Sequence, residues 1–124
     1  YQNMLKLPYQ KLQIWQKSME LARQAYELTR GFPKEERYGL ISQMRRSAVS
    51  IPSNTAEGSQ RLTNRDFSSF IAIAKGSLAE LETQTLLAQK IGYLDEKNMQ
   101  QFIEDIQEIS KMLHAFSNKL TTTN

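Results

Sequence analysis

The chain of 124 residues contains no cysteine and a single histidine, with only three prolines and five glycines, and each shortage narrows what it can be. Without cysteine there is no disulfide framework, thiolate zinc site or cysteine nucleophile, which excludes most small secreted scaffolds and fits a reducing cytoplasm. His114 alone cannot furnish a multi-histidine metal site. No apolar run approaches the ~20 residues that a membrane span requires, and Tyr1 to Leu7 form no signal-like stretch, so a soluble, unexported chain is expected. No glycine-rich phosphate loop follows a strand-like run. These absences argue against an enzyme and against any cofactor or metal.

What is present is a core. A 40% apolar and 9% aromatic content supports one folded domain. Breakers at residues 30–33, 58–60 and 92–93 separate four stretches with helical spacing. In the first, residues 11–30, Trp15, Met19, Ala22, Tyr26 and Thr29 share a face beside a second stripe of Ile14, Leu21, Ala25 and Leu28. That arc is too wide for one neighbour. Gly31 suits the left-handed position past the helix end, and Pro33 bars continuation.

The second helix, residues 34–58, opens on Glu35 and Glu36 and turns Leu40, Ile41, Met44, Ala48 and Ile51 inward. Pro52 removes the backbone bond to Ala48, at about 3 kcal/mol. The next five residues hold no other breaker, so the expectation is a kink in a continuing helix, with Asn54 and Glu57 hydrogen-bonded near it. Thr63 and Asp66 predict a cap for a third helix from about residue 64, whose seam is Phe67, Ile71, Ala74, Leu78, Leu81, Thr85 and Ala88. Phe70, Ile73, Leu86, Leu87 and Ile91 widen that stripe. Asp95 caps a fourth helix with Met99, Phe102, Ile103, Ile106, Ile109, Leu113, Phe116 and Leu120 inward.

Short linkers force successive helices antiparallel, so the predicted fold is all-α: an up-down-up-down antiparallel four-helix bundle over residues 11–120, with its second helix kinked at Pro52. Residues 1–10 read as an extended N-terminal lead-in and residues 121–124 as a frayed tail. The double apolar stripes on the first and third helices exceed what one bundle core covers, which predicts self-association.

Several phrases carry a family likeness. They are Leu12-Gln13-Ile14-Trp15-Gln16-Lys17, Tyr26-Glu27-Leu28-Thr29 with Phe32-Pro33, Tyr38-Gly39-Leu40 with Gln43-Met44-Arg45-Arg46, the run Ser50-Ile51-Pro52-Ser53-Asn54-Thr55-Ala56-Glu57-Gly58, and Gly76-Ser77-Leu78-Ala79-Glu80-Leu81-Glu82-Thr83-Gln84. In this order they resemble the four-helix-bundle proteins encoded in intervening sequences of bacterial large-subunit ribosomal RNA genes. Thr55 stands where that pattern is apolar. The resemblance implies a non-enzymatic homo-oligomer, a barrel-shaped homopentamer. A related branch, the accessory subunit of diversity-generating retroelements, associates with a reverse transcriptase and nucleic acid, which makes an adaptor for such a protein partner the alternative function.

Charge is uneven. Residues 1–61 hold ten Lys or Arg against five acids, and residues 62–124 six against eight, within a net +3. The basic half favours polyanions such as RNA, because neutralised phosphates release counterions. The candidate nucleic-acid-binding residues are Arg45, Arg46, Arg61 and Arg65, the last two forming a basic corner between the second and third helices. For Arg45 and Arg46, pairing with Glu57, Glu80 or Glu82 is the stronger expectation, because arginines at the edge of a core are usually paired. Those glutamates do not make a di-iron site, since the residue three before His114 is Lys111 rather than glutamate. His114 reads as a helix-surface or interface residue, and Trp15 and Tyr26 as core. Ser47, Ser50 and Ser53 have no general base near them in sequence and read as packing residues.

Overall fold

Four long helices make the fold: α1 Gln13–Thr29, α2 Leu40–Ser59, α3 Asn64–Lys90 and α4 Glu96–Thr122. The computed structural model describes residues 8–122, and no strand occurs among them. Each helix packs on its neighbours in sequence, and α1 closes against α4, giving the expected antiparallel four-helix bundle. The α2–α3 interface is the most extensive and the α1–α4 seam the thinnest.

The core follows the predicted periodicity. Leu21, Met44, Ile51, Ile71, Leu78, Leu81, Ile106, Ile109 and Leu113 are essentially without solvent contact. Removing one such side chain to alanine costs about 2–5 kcal/mol, the transfer term plus the cavity left behind. Four fully buried hydroxyls are satisfied within their own helices: Ser18 donates to Ile14 O at 2.6 Å, Thr29 to Ala25 O at 2.8 Å, Thr55 to Ile51 O at 2.9 Å and Thr85 to Leu81 O at 2.7 Å. This is how Thr55 occupies an apolar position at no loss of hydrogen bonding.

Helix ends depart from expectation in three places. Gly31 does not adopt the left-handed conformation; the only positive-φ glycine among the described residues is Gly92, at φ 92°. Instead Phe32 N–H returns to Thr29 O at 3.1 Å, and burial of the Phe32 ring turns the chain. The second helix begins at Leu40 rather than residue 34, because Lys34–Glu36 form a separate 3-10 turn and the Glu36 carboxylate folds forward to accept from Leu40 N–H at 3.0 Å. Of the 121–124 tail, expected to be frayed, Thr121 and Thr122 are helical, both hydroxyls donating to Asn118 O at 3.0 Å, and residues 123–124 lie outside the described residues. Of the 1–10 lead-in, residues 1–7 lie outside the described residues, and Tyr9–Lys11 form a 3-10 turn. The Thr63 and Asp95 caps form as predicted, accepting from Asp66 N–H at 3.1 Å and Asn98 N–H at 2.8 Å.

The helix runs on through Pro52 to Ser59. Asn54 Nδ2 donates to Ser50 O at 2.8 Å and to Ser50 Oγ at 2.9 Å, which leaves the Ser50 hydroxyl proton for Ser77 Oγ, 2.8 Å away on α3. Glu57, expected near the proline, is exposed and faces Arg61 instead. At the far end of α2, Gly58 lies tight against α3: an added Cβ would lie 2.7 Å from Phe70 Cβ and 2.9 Å from Phe67 Cδ1.

Candidate functional site

The four candidate arginines fall into two places. Arg45 and Arg46 sit in the second turn of α2, whereas Arg61 and Arg65 bracket the α2–α3 turn. From Arg46 to the end of α2 at Ser59 the helix rises about 20 Å, so the pairs do not form one patch on a subunit.

Arg45 is built into the bundle. Its Nε donates to Thr29 Oγ1 at 2.9 Å, its Nη2 to Tyr26 O at 3.3 Å, and its guanidinium lies 4.4 Å over the Tyr26 ring. It thus joins α2 to the end of α1 through a hydroxyl, a carbonyl and a ring, and not through a glutamate. Arg46 is exposed, has no ion pair among the described residues, and lines an α2–α3 groove with Ser50, Ser77 and Glu80. Arg61 pairs with Glu57 at 3.0 Å and lies 4.7 Å over the Phe70 ring. Arg65, in the first turn of α3, is exposed without an ion pair among the described residues, beside Ser68 and Ser69. Leu62, 96% exposed, projects from the turn between these two arginines.

The carboxylates do not converge. Glu57 faces Arg61, Glu82 accepts from Gln107 Nε2 at 3.5 Å, and Glu80 borders the α2–α3 groove. Among the described residues no three His, Asp or Glu side chains gather to hold a metal ion. His114 is exposed on α4 with Lys75 Nζ 3.4 Å from its Nδ1. No helix among the described residues is long and apolar enough to cross a membrane.

Two apolar surfaces are left uncovered by the described residues. Between α1 and α2 an open groove of about 500 Å3 is lined by Trp15, Met19, Tyr26, Val49 and Pro52, with Arg23 as its charged wall. Met19 and Tyr26, expected inside, are exposed here, while Trp15 is half-buried with its ring edge-to-face on Tyr9 at 5.4 Å. The second surface lies on α3 and its C-cap, where Ile73, Leu87 and the capping residue Ile91 are about half exposed, with Leu86 on the flank toward α4. Val49, Arg23 and Leu62 carried no signal as site residues in the sequence, because each takes its place from a neighbouring helix or turn.

The pattern of the 23S rRNA-intervening sequence protein family matches residues 10–115, nearly the whole described chain. The chain belongs to this family. Among solved structures, a protein of unknown function from the S23 ribosomal protein family of Bacteroides thetaiotaomicron has the same fold, with a TM-score of 0.76 at 24% identity. That match covers 84% of this chain and 97% of the other. No curated protein matches the chain significantly. Of the phrases that carry the likeness to the intervening-sequence family, Ser50 to Gly58 lie on α2 and Gly76 to Gln84 on α3.

Proposed function

We propose that this family member acts without catalysis as a cytoplasmic homo-oligomer, a ring of five as its family resemblance implies, that meets nucleic acid weakly and without sequence preference. The observation that carries the reading is the exposure of two apolar surfaces, the α1–α2 groove and the outer flank of α3, on a bundle whose core is already closed. Burying apolar surface of this kind favours association by roughly 25 cal/mol per Å2 before its entropic cost. Nucleic-acid contact is supported by Arg65 and Arg46, exposed and without ion pairs among the described residues. Arg61 adds to them, because an exposed pair such as Arg61–Glu57 is worth ~0–1 kcal/mol and yields readily to a phosphate. Arg45 drops out of the set, being engaged with Thr29 and Tyr26.

Repetition supplies what one subunit lacks. A few phosphate contacts per chain give little affinity, whereas several copies on one strand add avidity without new contacts. The test is light scattering with RNA titrations at several salt concentrations, on the parent and on Arg61→Glu/Arg65→Glu. The variant should keep its mass and helicity, lose affinity for unrelated RNAs alike, and show a shallower salt slope, by about 0.7–0.9 per lost phosphate contact. Equal binding at every salt concentration would remove the nucleic-acid role, and a parent mass of 14.3 kDa would remove the oligomer. Both results together would leave the protein-adaptor reading.

A further inference from the structure

The two uncovered apolar surfaces differ in shape. Along α3, Ile73, Glu80 and Leu87 follow one another at spacings of seven, and the C-cap Ile91, whose N–H still donates to Leu87 O at 3.0 Å, comes four further on, so they stand on one face as a ridge. Ile73 to Leu87 rises about 21 Å. The α1–α2 surface is a hollow whose α1 wall, from Trp15 to Tyr26, rises about 16 Å. Two hollows do not fill one another across a two-fold axis, but a hollow and a ridge do, with side-chain rows of one helix entering the groove between two others.

We infer that the α1–α2 groove of one subunit seats the Ile73–Leu87–Ile91 ridge of α3 from a second copy, so that subunits join head to tail. The inference rests on the oligomeric reading above and specifies its interface. A head-to-tail contact uses two different surfaces of each chain, and repeating it closes a ring when the rotation permits. Charge selects a second copy of this chain as the occupant. Glu80, midway along the ridge, is exposed and makes no ion pair among the described residues. Arg23 is the charged side chain lining the groove, and its present pair with Glu20, at 2.6 Å, is solvent-exposed on both sides and therefore weak. Seating the ridge brings Glu80 towards Arg23 of the neighbour, so that the carboxylate between Ile73 and Leu87 is matched by the one cation that lines the groove among the described residues.

The experiment is complementation between single-surface variants. Met19→Glu spoils the groove and Leu87→Glu the ridge, and both positions are exposed, so the bundle tolerates them. Each variant alone should run at 14.3 kDa with unchanged helicity. Mixed in equal amounts they should form a one-to-one complex of twice that mass, because one intact groove and one intact ridge remain and the chain of contacts stops there. Leu86→Glu, on the other flank of α3, should keep the parental mass. A groove variant that is monomeric beside a ridge variant of parental mass would mean a self-complementary groove and overturn the inference. So would a mixture that stays monomeric, or two variants that both keep the parental mass; in either case the oligomer itself would stand. A parent at 14.3 kDa would overturn the oligomeric reading and leave the groove to a different protein.

Discussion

Tyr93, in the α3–α4 turn, donates its hydroxyl to Glu36 Oε2 at 2.8 Å, while the other oxygen of that carboxylate accepts from Leu40 N–H. One carboxylate thereby fastens the start of α2 to the α3–α4 connection at the same end of the bundle, and the Phe32 ring packs on Tyr93 with centroids 5.3 Å apart. The Leu40 amide and then the Tyr93 hydroxyl hold the Glu36 carboxyl below its ordinary range. The hydrogen bond to Glu36, followed by burial and the nearby negative charge, raises the Tyr93 phenol above its ordinary value.

Both shifts predict a pH dependence. Glu36 contributes stability above the ordinary carboxylate range, and that contribution is lost as pH falls through its lowered folded-state value. Tyr93 contributes below the ordinary phenol range and loses its part as pH rises through its raised value. Tyr93→Phe should lower the melting temperature by a few degrees at pH 7 and weaken the alkaline limb. Glu36→Gln should flatten the acid limb. Thermal unfolding across pH checks both, and unchanged curves would mean that the contact does not hold in solution.

Gly58→Ala and Gly76→Ala should have opposite signs. Alanine in a helix interior is intrinsically better than glycine by roughly 0.5–1 kcal/mol, and at Gly76 the added methyl meets nothing within 4 Å. At Gly58 the methyl meets Phe70 Cβ and the Phe67 ring below 3 Å, so overpacking of about 1–3 kcal/mol outweighs that gain. Urea unfolding should show a higher midpoint for the first variant and a lower one for the second.

Arg45→Ala should destabilise the bundle by about 1–2 kcal/mol through loss of the Thr29 bond and the Tyr26 ring contact. RNA affinity, measured at fixed salt with the protein fully folded, should stay at the parental value. A selective loss of binding would return Arg45 to the nucleic-acid surface.

The helices, their seams and two of their caps were legible because they depend on local chemistry: period, Thr63 before Asp66, Asp95 before Asn98. Periodicity gives the angle of a side chain about its own helix, and says less about how far a neighbour reaches. Met19 and Tyr26 lie on the expected face yet beyond the cover of α2, and Tyr26 serves as a platform for Arg45. The late start of α2 was hidden for a related reason, since it depends on a Glu36 carboxylate that is also held by a tyrosine 57 residues away. Among the candidate arginines, Arg61 and Arg65 flank the α2–α3 turn because the Thr63 cap starts α3 between them, while the separation of Arg45 and Arg46 from them follows from the length of α2.

The thin α1–α4 seam bears on how the molecule opens. It is spanned by an exposed Lys17–Glu108 pair at 3.4 Å, and the Gln24 side-chain oxygen beside it is buried without a donor. The seam is also the closure that joins residues farthest apart in the chain, the last to be repaid in folding and the first to be released in a fluctuation. Opening there leaves two hairpins, α1 with α2 and α3 with α4, still joined through the broad α2–α3 interface. Native-state hydrogen exchange should therefore find the amides of α1 and α4 exchanging through smaller openings than those of α2 and α3, so that one wall of the α1–α2 groove belongs to a helix that loosens before the centre of the bundle.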